Sequence, residues 1–370
     1  MVLPPLSRID PRRFETVPVF RALVSANRAL AELKGLAASI PNQNILINTL
    51  TLQEARDSSA IENIVTTQDD LYREDDPAEA VGTATKEVLR YGQALRAGHQ
   101  QVRESGLLTL NTVLGIQQQL ECNQAGFRRL PGTALRDGVG RVVYEPPQDA
   151  NEVRRLMGEL ERFIHDDPPC AVDPLVKMAL IHHQFESIHP FYDGNGRTGR
   201  IVNVLYLVKE GLLDIPVLYL SRHIVRTKLD YYRLLQSVRD DDNWEEWVLY
   251  MLRAVEVTAT ETLGTVQAIK ALLQQTKQRI RGEYKFYSQD LINNLFNHPY
   301  TRVDFLRRDL GVSRLTATKY LDMLAADGVL EKVRSGRNNY YINHALFELL
   351  ARGDDPAGTG TGREARSGAH

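Results

Sequence analysis

A loop of uncommon composition joins two apolar stretches near the middle of the chain. It reads His189-Pro190-Phe191-Tyr192-Asp193-Gly194-Asn195-Gly196-Arg197-Thr198-Gly199-Arg200. Upstream, Leu180, Ile181, Phe185 and Ile188 recur at helical spacing. Downstream, Ile201, Val204, Leu205 and Val208 do the same as far as Gly211, a natural helix stop. The pattern predicts two buried helices around a loop that holds one His, one acid, one Asn, three Gly and two Arg. Glycines let the backbone approach an anion with no Cβ in the way. The first turn of the second helix offers N–H groups to the same anion. Arg197 and Arg200, three apart, can both reach one polyphosphate from that turn. Each residue also has a plainer reading. A lone His near a helix end is usually structural, Asp193-Gly194 and Asn195-Gly196 are ordinary turn pairs, and first-turn arginines are often solvated. All of these would have to coincide in one short loop, and that favours a site. No Walker-A pattern occurs, so a nucleotide here is not held by a P-loop.

Bulk properties set the surroundings. A chain of 370 residues is long for one core, so two or three domains are expected. With 43% hydrophobic and 25% charged residues it has the make-up of a soluble globular protein. A net charge of −2 excludes nucleic-acid binding by bulk charge and leaves room for a local basic face. Cys122 and Cys170 lack metal-site spacing and read as reduced thiols. Met1-Val2-Leu3-Pro4-Pro5 opens no secretory signal, and no apolar run reaches membrane-spanning length. A cytoplasmic location with no membrane partner is the expectation.

The chain reads as mainly α in five parts. Residues 1–77 form an N-terminal helical region, with one stripe through Phe20, Leu23, Leu30 and Leu33 and a second segment from about Leu46 to Val65. Residues 78–260 alternate long helices with short loops. Within them the stretch 126–147 carries Arg141-Val142-Val143-Tyr144, a hairpin arm halted by Pro146-Pro147. A polar helical stretch runs from about Thr258 to Tyr284, and residues 261–288 make the linking helix. Residues 289–352 read as a winged helix, and 353–370 as a disordered tail. In the winged helix, Val303–Leu310 is closed by Gly311, and Ser313 caps a helix with Ala317, Tyr320, Leu321 and Leu324 inward. Arg314, Thr316, Thr318 and Lys319 face outward. The strand patterns Val329–Val333 and Asn339–Ile342 flank a wing, Arg334-Ser335-Gly336-Arg337. A basic helix and wing suit DNA phosphates. Asp304, Asp309, Asp322 and Asp327 dilute that charge, and protein docking is the alternative.

The twelve-residue loop resembles the Fic motif, His-Pro-Phe-x-Asp/Glu-Gly-Asn-Gly-Arg-x-x-Arg, at every defined position. The likeness extends to Asp230-Tyr231-Tyr232, to Gly126-Phe127-Arg128 and to Ser58-Ser59-Ala60-Ile61-Glu62-Asn63. It implies a Fic-type helical core with a short β-hairpin flap, and transfer of AMP from ATP to a Ser, Thr or Tyr hydroxyl. His189 then stands in the place of the base. Asp193 stands as ligand of a Mg²⁺ on the α- and β-phosphates, and Gly194, Asn195 and Gly196 as the anion hole. Arg197 is placed for the β-phosphate and Arg200 for the γ-phosphate, with Thr198 and Gly199 between them in the ATP site. Tyr231 and Tyr232 would lie near adenine and ribose, or else form a partly buried aromatic pair. Some relatives carry an Asn where this chain has Arg239, so no adenine-contacting amide is carried over.

The same resemblance makes the 126–147 flap the place where a target peptide adds as a strand. Ser58, Glu62 and Asn63 match an inhibitory pattern in which Glu62 pairs bidentately with Arg200 and withdraws it from the γ-phosphate. Automodification and a homodimer are further implications. Rival readings are kinase-like or phosphocholine transfer, removal of AMP with Glu62 orienting a water, and a DNA-binding regulator whose core senses nucleotide.

Overall fold

The computed structural model describes residues 3–72, 82–166, 171–335 and 338–351. After two short 3-10 turns, Leu6–Arg8 and Pro11–Phe14, the N-terminal region forms α1 (Val17–Ala38), α2 (Asn44–Ile61) and α3 (Gln68–Tyr72). On α1, Leu30 and Leu33 face the core with Val19, Ala26 and Ala37, whereas Phe20 stands 51% exposed on the outer side. The stripe is therefore led by Val19, one residue earlier than the sequence spacing suggested.

The middle of the chain contributes α4 (Thr83–Ser105), α5 (Leu110–Glu121), the hairpin strands β1 (Leu135–Arg136) and β2 (Val142–Tyr144), and α6 (Ala150–Ile164). Next come α7 (Pro174–Ile188), α8 (Asn195–Lys209), α9 (Leu220–Arg226) and α10 (Lys228–Asp241). The strands pair antiparallel, Leu135 opposite Tyr144, as the flap reading expects. From Leu175 to Ile188 no residue of α7 reaches the surface, so it is the central helix of the core. It packs on α8, and α8 in turn on α4 and α5. Trp247 donates its indole N–H to the Ala179 carbonyl of α7, 2.8 Å away.

Trp247 lies in the first turn of a much longer element than expected. The helix anticipated from about residue 258 is α11, which runs unbroken for 40 residues from Trp244 to Glu283 and packs along α1. Its first half closes the core and its second half leads into the C-terminal part. There follow α12 (Gln289–Asn297), β3 (Tyr300–Thr301), α13 (Val303–Leu310), α14 (Arg314–Ala326), β4 (Glu331–Ser335), β5 (Asn338–Ile342) and α15 (His344–Ala351). The three strands form one antiparallel sheet in the order β3-β5-β4. Three helices followed by a hairpin have the layout of a winged helix. Gly311 closes α13, and Ser313 caps α14 by accepting from the Thr316 N–H at 3.1 Å. Ala317, Leu321 and Leu324 are buried, while Tyr320 is half-buried and stacks on Phe286 at 4.1 Å. Gly336 and Arg337 of the expected wing, and the tail from 353 to 370, lie outside the described residues. Among the described residues no helix is long and apolar enough to cross a membrane.

Candidate active site

The two helices that flank the motif loop, α7 and α8, begin differently. Helix α7 is capped at its start by Asp173, whose carboxylate accepts from the Leu175 N–H at 2.8 Å. Helix α8 has no side-chain cap: Gly194 occupies that position at φ +78°, a left-handed conformation that Gly adopts without strain. The first-turn N–H groups of α8 therefore face outward with the positive end of the helix dipole. Asn195 does not reach into that space. Its amide exchanges two bonds with Phe191, Nδ2 to the carbonyl at 2.9 Å and Oδ1 from the N–H at 2.8 Å, and so closes the loop. Thr198 and Gly199 lie buried within α8 behind it.

His189 ends α7 in a left-handed conformation, φ 49°. Its carbonyl accepts from Arg128 Nε at 2.8 Å, and Arg128 also binds the Ile188 and Pro147 carbonyls, tying the loop to the base of the flap. Burial, with the positive charges of Arg128 and Arg239 nearby, brings the imidazole down to about 4. It is neutral near pH 7 and free to take a proton. Asp193 is exposed, with Oδ1 accepting from the Gly194 N–H at 2.7 Å.

The two arginines of the motif part company. Arg197 turns to α4 and α5, with Nη1 3.2 Å from Glu87 and Nη2 2.8 Å from Glu121. Arg200 turns to the end of α2 and is 1% exposed. Its Nε donates to Ser58 Oγ at 2.8 Å, and its Nη2 to the Ser58 carbonyl at 3.0 Å and to Glu62 Oε1 at 2.9 Å. The pair with Glu62 is thus monodentate, where a bidentate one was expected, because Ser58 takes the second edge of the guanidinium. Burial works against the Glu62 charge. Arg200, with Arg197 and Lys228 behind it, nevertheless holds the carboxylate below the usual range. Glu62 is the C-cap of α2, and Asn63 follows in left-handed conformation with Lys228 donating to its Oδ1 at 3.3 Å. A Cβ added to Gly196 would collide with the Glu62 carboxylate, so an anion already rests against the first turn of α8.

Three segments of the chain match family models: residues 20–100 the Fic/DOC family N-terminal model, 107–207 the Fic/DOC family model, and 272–346 the C-terminal domain model of SoFic-like protein adenylyltransferases. The chain belongs to the Fic family. It is 26% identical over 147 residues to the protein adenylyltransferase fic-1 of Caenorhabditis elegans, covering 38% of this chain and 28% of that one. It is 29% identical over 174 residues to a probable protein adenylyltransferase of Aquifex aeolicus, covering 46% and 51%. The match thus spans between about a quarter and a half of these relatives' lengths. A Fic family protein from Desulfovibrio desulfuricans shares the fold at TM-score 0.58 and 22% identity, over 90% of this chain and 98% of that one. A Fic domain containing signaling protein from Bacteroides thetaiotaomicron does so at TM-score 0.54 and 15% identity, over 65% and 95%.

Within this Fic core the two tyrosines separate as well. Tyr231 is buried among Trp247, Tyr250 and Tyr232, its hydroxyl 2.9 Å from His182 Nε2. Only Tyr232, 45% exposed, presents a face to solvent. Several residues of the site carry no sequence signal at all. Glu87 and Glu121 are single acids on other helices. Glu186, one turn before His189, is pushed up to about 7 by burial, against the pull of Arg200. Tyr144 of β2 donates to the Ser187 carbonyl at 3.0 Å, and Arg239 lies over the Tyr144 ring at 4.0 Å. These two pin the hairpin beside the loop between α7 and α8. Arg128, Tyr144 and Arg239 are the exceptions, since Gly126-Phe127-Arg128, the arm Arg141-Val142-Val143-Tyr144 and position 239 stand out in the sequence. Of the basic face expected on α14, Arg314 and Lys319 are exposed, with Leu315 between them 85% exposed.

Proposed function

We propose that the protein transfers AMP from ATP to a Ser, Thr or Tyr hydroxyl of a target protein, itself included, and that Glu62 holds this activity down. The observation that carries the reading is the Glu62 carboxylate lying on Gly196 and Arg200. An acceptor oxygen of a side chain occupies the place that a phosphate oxygen would take, at an uncapped helix start flanked by two arginines. Names borne by the relatives point the same way.

In this reading the target hydroxyl attacks the α-phosphorus of ATP while His189 takes its proton. The bond from the α-phosphorus to the bridging oxygen breaks, and pyrophosphate leaves. The first-turn N–H groups of α8 face oxygens that gain charge as the phosphorus becomes five-coordinate. Asp193 fits a Mg²⁺ that is held mostly by substrate, because its exposed carboxylate is a hard donor with one oxygen engaged by Gly194. Among the described residues no group of three His, Cys, Asp or Glu could hold a metal alone. When bound, the ion would offset charge between the α- and β-phosphates. Tyr232 is the aromatic residue placed to meet the nucleoside. The hairpin β1–β2, tied to the loop through Tyr144 and Arg128, would receive the target segment as an added strand. A division into core and appended domain near residue 260 passes through the single helix α11.

The test is mass analysis of the intact chain after incubation with ATP and Mg²⁺. A gain of one AMP is expected, and His189→Ala should reduce the rate by about 10²- to 10⁴-fold with ATP binding retained. Labelling of His189→Ala within tenfold of the parent would place the base elsewhere.

A further inference from the structure

Glu62 ends α2, so a shift of that helix or an unwinding of the chain beyond it takes the carboxylate away from Arg200. Contacts with the C-terminal domain oppose both routes. On α2, Gln53 is buried and donates Nε2 to the Leu350 carbonyl of α15 at 2.7 Å, while its Oε1 accepts from Arg222 at 3.2 Å. Helix α12 also packs on α2. Beyond Glu62, the carboxylate of Asp69 accepts the Tyr300 hydroxyl. Tyr72 stacks on Tyr300 with ring centres 5.9 Å apart and meets Phe347 edge-on at 6.2 Å. Leu350, Tyr300 and Phe347 all belong to the C-terminal domain, and Glu62 sits between the two anchors.

We propose that the C-terminal domain is part of the inhibitory apparatus. By gripping the chain before Glu62 at Gln53 and after it at Asp69 and Tyr72, it sets how often the carboxylate leaves Arg200. Loosening either anchor raises the population with Arg200 free, and any macromolecule that displaces the domain works through the same equilibrium. The inference rests on Glu62 being inhibitory, as proposed above, and its test is separable from that reading.

The full chain is made with Gln53→Leu, which keeps bulk and helix but removes the amide, and separately with Tyr300→Phe, which removes only the hydroxyl. Each is made in the parent and in the Glu62→Gly background. Self-labelling with labelled ATP and hydrogen exchange of residues 55–63 are measured on all. Each variant should raise labelling of the parent roughly fivefold, the factor that one net hydrogen bond carries. Neither should add to Glu62→Gly, and both should speed exchange across 55–63. An equal gain in both backgrounds, or unchanged exchange in folded Tyr300→Phe, overturns the proposal. If Glu62→Gly itself transfers no AMP, the parent reading falls, while the exchange result still decides whether the domain holds this turn. Should Gln53→Leu fail to fold, Tyr300→Phe carries the test alone.

Discussion

Arg197 and Arg200 leave α8 one turn apart, and both end on carboxylates, yet the two pairs are built from different material. Arg197 is met by Glu87 in the first turns of α4 and by Glu121 at the end of α5, both helices that pack directly on α8. Arg200 is met by Ser58 and by Glu62, a C-cap residue with 37% of its side chain exposed and a left-handed Asn63 next to it. One pair is core structure. The other is a contact at a helix end, partly open to water, where a carboxylate can leave without uncovering a buried cavity. Two arginines of one motif can therefore serve different ends, and the motif alone does not distinguish them.

Three experiments test that contrast. The largest effect is expected for Glu62→Gly, because a freed Arg200 lets the triphosphate settle for in-line attack, and near-attack geometry shifts rates by orders of magnitude. Glu62 ends α2 and does not lie inside it, so a glycine there costs little helix and the fold should hold. Self-labelling should rise by about 10²-fold, and adding Arg200→Ala should remove the gain. A Glu62→Gly protein no more active than its parent, with ATP bound normally, would end the inhibitory reading. Faster loss of AMP from the parent than from Glu62→Gly would instead give Glu62 the task of orienting water.

On the other side of α8, Glu121→Gln should behave as a change in structure. It leaves the buried Arg197 with Glu87 alone, so denaturant unfolding should register a loss of about 1.5–3 kcal/mol. Labelling should stay at or below the parent level. A rise resembling that of Glu62→Gly would erase the distinction between the two arginines.

The smallest effect concerns the seat of α2. Glu54 is buried against Ser221 of α9 and Tyr91 of α4, and burial raises it from 4.5 to about 7. A carboxyl raised on folding contributes stability that is complete below its unfolded value and is lost as pH rises through the folded one. Glu54 should therefore withdraw stability from the fold as pH rises from about 4.5 to about 7, the window between its unfolded and folded values. Glu54→Gln should flatten that slope in part, leaving the share of Glu186. An unchanged slope in unfolding midpoints would show that Glu54 ionises freely.

The helices and the loop were legible because their signals are local. Apolar spacing marks α7 and α8, Ser313 and Gly311 mark the ends of α14 and α13, and His189 to Arg200 is one continuous run. The partners of those residues were not legible, since Glu87 and Glu121 come from other helices and each, like Glu186 on α7 itself, is a common residue with no spacing to set it apart. Phe20 misled for a related reason: a stripe read one residue off still fits the helical period, and only packing chooses between Val19 and Phe20. Tyr231 and Tyr232, adjacent in sequence, point to opposite surroundings because neighbours on a helix diverge by about 100°.

At 1.5 Å per residue, the 40 residues of α11 span about 60 Å in one piece, braced along α1. A flexible tether between the two ends would let a molecule docked on α14 wander over a wide volume. A stiff one instead holds it at a set distance and orientation from the flap. Cargo on the C-terminal domain would then meet the flap at a high effective concentration if its hydroxyl falls at that distance, and at almost none otherwise. Choice of target could in this way be made by length, without any sequence being read at the flap.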